Sequence, residues 1–236
     1  MKNFLANVTL HVLWADRPES REDCSNRIFS FMEKFKIYNK IPQKWRHSVE
    51  LETISPAIVG HYIQQNFTDV KPKPIENLGW SGTFSMDLPE GFFFSRFSCG
   101  GWSTIKNSVI VRFPKSLHKR YDLFYETMRA AVESFDPDYG SVFTSAAADR
   151  TRSLSIQLQY IDWMIYVRNE QLASVDIPEI FCNKRLGPGS FIATKNSPVN
   201  LGEPEDLALI ERIDPLIRQF VPEDIPKPPL GREIVQ

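Results

Sequence analysis

Residues 80–114 read WSGTFSMDLPEGFFFSRFSCGGWSTIKNSVIVRFP, and this stretch decides the fold. Trp80, Gly82, Phe84, Met86 and Leu88 alternate with Ser81, Thr83, Ser85 and Asp87. A period of two places the first set on one face of a strand and the second on the other. Phe92, Phe93, Phe94 and Phe97 predict a second strand, and residues 108–113 a third, closed by Pro114. Glu90-Gly91 and Cys99-Gly100-Gly101 supply the turns. Such a meander needs a helical cover over its apolar face.

The flanking segments supply that cover. Upstream, residues 7–15 alternate with Val8, Leu10, Val12 and Trp14 on one face, predicting a strand. Pro18, Glu19, Glu22 and Asp23 suit the first turn of a helix, where the dipole favours acids. Cys24, Ile28, Phe31, Met32 and Phe35 then form one apolar face. Ser55-Pro56 predicts a capped, shorter helix with Ile58, Val59, Tyr62 and Ile63 inward. Downstream, Leu117, Tyr121, Phe124, Met128, Val132 and Phe135 form a stripe that Ser116 can cap and Asp136-Pro137 ends. Short strands are expected at 141–144 and over 156–167, the latter a single strand or two broken by Asp162, and a hairpin with arms 180–183 and 191–194 around Gly187-Pro188-Gly189. A last helix starts near Glu203-Pro204 and buries Leu207, Ile210, Ile213 and Ile217, with a kink or split expected at Pro215. Lys71-Pro72-Lys73-Pro74 reads as an exposed loop. The order of elements is not the regular alternation of a doubly wound fold. It predicts one α+β domain over residues 1–222, with an antiparallel or mixed sheet covered by helices. A proline-rich tail follows over 223–236.

Composition narrows the function. At 236 residues, one core can form without staples. The 28 Lys+Arg against 29 Asp+Glu exclude a strongly basic nucleic-acid binder. No apolar run reaches the roughly 18–20 residues of a membrane span. Asn7, Thr9 and His11 interrupt the N-terminal run, unlike a secretory signal. Three cysteines, Cys24, Cys99 and Cys182, cannot build a disulfide framework or a four-thiolate zinc site. A reducing cytoplasm is the expected compartment.

Chemistry-bearing patterns are sparse. Cys99 in the segment 98–103 has the glycine-turn setting of a thiolate nucleophile. His11, His47, His61 and His118 offer no motif that links a base to it, and their scatter opposes a metal site. Neither a metal nor a cofactor is expected. The acids are more suggestive. Glu203, Glu205, Asp206, Glu211 and Asp214 stand against Arg212 alone within residues 203–214. Part of this is helix-dipole physics, but an acidic face can also imitate nucleic-acid phosphate to a basic partner. Asp136, Asp138 and Asp149 form a second acidic group beside Arg150 and Arg152. Trp163 and Tyr166, after Tyr160, are aromatic residues of the kind that anchor interfaces, although in a strand such residues also serve the core.

Four stretches together resemble the immunity protein 52 family of bacterial polymorphic toxin systems. They are the opening strand and helix with Trp14-Ala15 and Cys24; residues 107–114; residues 135–140 leading to Val142-Phe143-Thr144-Ser145; and residues 162–167. Asp162 stands where the family pattern has a glycine. The resemblance implies a non-enzymatic α+β protein of the bacterial cytoplasm. Its implied partner is a cognate toxin with a restriction-endonuclease-like nuclease domain, delivered by a system such as type VI secretion, and it contacts no nucleic acid or membrane directly. The resemblance carries over no binding residues. The expected partner surface therefore comes from charge and aromaticity: Glu203, Glu205, Asp206 and Glu211, then Asp136 and Asp138, with Trp163 and Tyr166. An effector-loading adaptor, or a hydrolase using Cys99, are the alternatives. Oligomeric state is left open.

Overall fold

The alternation along 80–114 folds as a meander, in which β3 (Trp80–Leu88), β4 (Gly91–Cys99) and β5 (Asn107–Phe113) pair antiparallel. The computed structural model describes residues 8–65, 79–101, 107–144, 161–200 and 202–221. The expected 71–74 loop, the 223–236 tail, Trp102, Asp149 and the start of the 156–167 strand lie outside them. The remaining strands are β1 (Val8–Trp14), β2 (Gln64–Gln65), β6 (Tyr139–Thr144), β7 (Met164–Val167), β8 (Cys182–Leu186) and β9 (Gly189–Ala193). The helices among the described residues are α1 (Arg21–Asn39), α2 (Pro56–Tyr62), α3 (Tyr121–Phe135) and α4 (Pro204–Arg218). The nine strands among the described residues join one sheet in the order β2-β3-β4-β5-β1-β6-β7-β9-β8, and each of these pairings is antiparallel. The fold class is therefore α+β with a purely antiparallel sheet.

Registers assign the faces. Val12 lies opposite Val109 and Gly140, Val109 opposite Phe97, and Phe84 opposite Ser95. That face carries α1 and α3. Phe31 meets Phe97 edge-on at 5.5 Å, Trp14 stacks on Phe135 at 5.2 Å, and Phe113 meets Phe124 at 4.6 Å. Each buried phenylalanine contributes about 1.5–3 kcal/mol of apolar transfer. Gly140 lets α3 approach, since a Cβ there would sit 2.8 Å from Met128 Sδ and 2.9 Å from Val12 Cγ1.

Local chemistry sets the helix ends. A reciprocal capping box between Ser20 and Asp23 starts α1, so Pro18 and Glu19 precede the helix instead of opening it. Ser55 caps α2 with Pro56 in the first turn, as expected. Ser116 caps nothing. Its hydroxyl donates to the Glu90 carbonyl, a 3-10 turn occupies Lys115–Leu117, and α3 starts at Tyr121. Pro215 does not split α4, which runs through it. The proline sits on the exposed side, where water can solvate the carbonyl it leaves free.

Among the described residues, the second face of the sheet is covered over about half its width. Tyr139 of β6 interacts with the charges of Asp214 and Arg218 on α4. Asn183 of β8 donates to the carbonyls of Leu172 and Val175, in and just after the 3-10 turn Glu170–Ser174. Along β6, β7 and β9 this face is buried at Tyr139, Ser141, Ile165 and Ile192. Across β1 it is still closed, at His11 and Leu13. From β5 outward it opens: Ile110 is half-buried, while Arg112, Arg96 and Phe92 are exposed.

Candidate partner-binding surface

The acidic cluster on α4 separates into structural and free members. Asp206 is buried, and its carboxylate accepts from Lys195 Nζ at 2.5 Å and from the Asn200 backbone at 2.7 Å. It pins the start of α4 to the end of β9. Asp214 holds Arg218 through two contacts of 2.6 and 2.8 Å, and Arg212 pairs with Glu179. Glu203 accepts from Asn200 at 3.4 Å and stays exposed. Glu205 and Glu211 are exposed, and among the described residues neither has an ion-pair partner. Glu205, Glu211, Pro215 and the 37% exposed Leu216 share the outward arc of the helix with Arg212, whose charge is taken by Glu179.

The second acidic group is a backbone clamp. Asp138 accepts from the Ala15 amide at 2.8 Å, and Arg168 approaches Asp136 at 3.0 Å and Asp138 at 3.7 Å. Asp136 caps α3 in the left-handed conformation. Arg17 donates to the Phe135 carbonyl at 2.7 Å. Two arginines thus surround the two acids, which belong to the junction of β1, α3 and β6 instead of forming a free acidic face.

The aromatic anchors need correction. Trp163 and Tyr166 are both 0% exposed. Trp163 packs edge-on against Phe124 at 4.9 Å and donates to the Lys195 carbonyl at 3.0 Å. Tyr166 lies under α3, opposite Gly140. A partner cannot touch either ring in this fold. Within the stretch expected as strand over 156–167, β7 starts at Met164, after a bend at Asp162 and Trp163. Tyr166 lies on this central strand and Trp163 just before it, and both fill the core.

Cys99 has the wrong surroundings for a nucleophile. It is fully buried beside Cys24, and contact with that thiol together with burial pushes its own thiol well above the ordinary range. Glu19 adds repulsion, and its carboxylate is held by Arg17 at 3.1 Å and Arg27 at 2.5 Å. Asp162 and His11 are buried as well. Burial raises the Asp162 carboxyl to about 8 and lowers the His11 imidazole to about 4, so both are neutral at pH 7. Asp162 Oδ2 accepts from the Thr144 amide at 3.3 Å, whereas Oδ1 is an orphan. Among the described residues, no three His, Cys, Asp or Glu side chains are grouped to hold a metal ion, and no helix is long and apolar enough to cross a membrane.

Sequence reasoning missed the bare half of the sheet. Arg96 and Arg112 project from it, exposed, and among the described residues neither is in an ion pair. Arg112 lies opposite Phe94 with its guanidinium 5.9 Å from the ring centre. Phe92 is 57% exposed. A cleft of about 340 Å³ opens beside it at the β3 edge, between His47, Tyr62 and Gln64 and the strand residues Thr83, Phe94 and Arg96. His47 stacks on Tyr62 at 4.5 Å. The signal was present: the run Phe92-Phe93-Phe94 must put aromatics on both faces of β4.

No family model matches the chain, and no curated protein matches it. Among solved structures, it is similar to a type VI secretion system protein of Pseudomonas aeruginosa. That match has 13% identity and a TM-score of 0.49, and covers 92% of this chain and 73% of the other.

Proposed function

We propose that this protein is an immunity protein: a non-enzymatic binder of the bacterial cytoplasm that neutralises a cognate nuclease toxin by direct contact. The resemblance in the four sequence stretches motivates this reading. One structural observation supports it: Glu203, Glu205 and Glu211 stay solvent-facing on a helix whose other acids are consumed by internal pairs. A nuclease presents a basic surface to its polyanionic substrate. Carboxylates held on a helix that is itself clamped to the sheet complement such a surface and accelerate encounter. Protection of the producing cell requires a Kd of about 1 nM or tighter, about -12 kcal/mol.

The test is co-expression, with and without this chain, of the cognate nuclease toxin that the resemblance implies is encoded beside it. Survival, chromosomal DNA integrity and co-purification are scored. Rescue with a stable complex is the expected result. A complex whose nuclease remains active points to an effector-loading adaptor instead. The absence of both rescue and complex removes the immunity reading.

A further inference from the structure

We propose that a second copy of this chain covers the bare half of the sheet with its α4. The observation is a step across one face. Over β6, β7 and β9 the face is roofed by α4 and by the 3-10 segment; over β4 and β5 no described element lies on it, and at the β3 edge His47 and Tyr62 wall a cleft against it. A helix is about 10 Å thick, so the roofed half stands proud and the bare half is a shelf. A two-fold axis along the border between the halves sets the shelf of each copy under the α4 of the other. Both contacts form at once, which is how isologous dimers close.

Charge and polarity match across that step. The shelf offers Arg96 and Arg112, exposed and without ion-pair partners among the described residues. The outward arc of α4 offers Glu205 and Glu211, likewise without partners. Each surface also carries exposed apolar area: Phe92 with Phe94 on the shelf, and Leu216 on the helix. One molecule therefore displays both an unpaired basic and an unpaired acidic surface on the same side of its sheet. A two-fold pairing satisfies the four groups in each copy and covers the aromatics of β4. The dimer uses the same α4 carboxylates as the toxin reading, so the second copy and a toxin exclude each other on this helix. The purified chain tests the dimer without any toxin, so the two readings fail separately.

Sedimentation velocity of the purified chain over about 1–100 µM is the experiment. A concentration-dependent monomer–dimer equilibrium that weakens as salt rises is expected. Two double variants then test the pairing. Arg96→Glu with Arg112→Glu makes the shelf acidic; Glu205→Arg with Glu211→Arg makes the helix arc basic. Alone, each variant faces like charge with like and is expected to be monomeric. Mixed, the acidic shelf meets the basic helix and the native basic shelf meets the native acidic helix, so dimer returns as a one-to-one heterodimer. All four positions are exposed, and circular dichroism checks that each variant is folded. A wild type that is monomeric throughout overturns the proposal, whether or not the shelf takes up another acidic ligand. So does a dimer that both variants leave intact, or one that mixing fails to restore.

Discussion

Two buried titratable groups oppose each other in their effect on stability. His11 is charged below about 6.5 when unfolded and only below about 4 when folded. Its contribution is present above 6.5 and lost as pH falls toward 4. Asp162 is charged above about 4 when unfolded but only above about 8 when folded. Between those values the folded state binds more protons, so stability falls as pH rises. The two slopes, each about 1.4 kcal/mol per pH unit, cancel between about 4 and 6.5 and leave a net fall from 6.5 to 8. Urea unfolding should show a loss of about 2 kcal/mol over that interval. Asp162→Asn should abolish it; a variant that retains the full loss would remove Asp162 as its source. Thiol accessibility gives a second residue-scale expectation. Cys182 is partly exposed whereas Cys24 and Cys99 are buried. Alkylation of the native protein should therefore label Cys182 first and reach the other two only on unfolding. Rapid labelling of Cys99 near neutral pH would revive the hydrolase alternative.

At the scale of elements, α4 and the contact between α3 and β6 make opposite demands on backbone chemistry. Pro215 lies inside α4 without breaking it, so the helix tolerates a missing amide hydrogen bond. Pro215→Ala should restore that bond and stabilise the protein by about 1–3 kcal/mol in thermal or chemical unfolding. No gain would mean that the rigidity of proline in the unfolded chain offsets it. Gly140 behaves the other way. An added methyl collides with Val12, a stiff neighbour, as well as with Met128. Gly140→Ala should destabilise by about 1–3 kcal/mol through forced repacking of α3 on the sheet. Helix starts show how much the chain encodes locally. The Ser20/Asp23 and Ser55/Pro56 signals sit within four residues of the groups they satisfy. The expected Ser116 cap failed because a distant partner, the Glu90 carbonyl, claimed its hydroxyl.

For the whole molecule, the decisive property is which surface charges remain unspent. If the arc of α4 steers a basic toxin, Glu205→Lys with Glu211→Lys should slow association at least about tenfold at low salt and flatten its salt dependence. Stopped-flow mixing measures this directly. An unchanged rate at low salt would exclude those carboxylates from the encounter. Asp136 and Asp138 serve as an internal contrast, because Arg168 and the Ala15 amide already occupy them. Their replacement should lower stability before it alters association.

Periodicity along the chain was enough to determine the α+β class, the meander, the four described helices and the inward faces of β1, β3 and α3. Those features depend on which side of an element a residue occupies, and spacing encodes the side directly. Tertiary structure alone decided the rest. Whether Trp163 and Tyr166 would anchor a partner or fill the core depended on cover from α3, more than 25 residues away in sequence. Whether an acid would be free depended on partners as distant as Ala15 for Asp138, 123 residues apart. The run of phenylalanines in β4 announced aromatics on both faces, but only the packed layers determined that, among the described residues, α1 and α3 cover one face while α4 and a 3-10 segment cover about half of the other. Coverage and charge pairing are properties of three-dimensional neighbours, and no local pattern carries them.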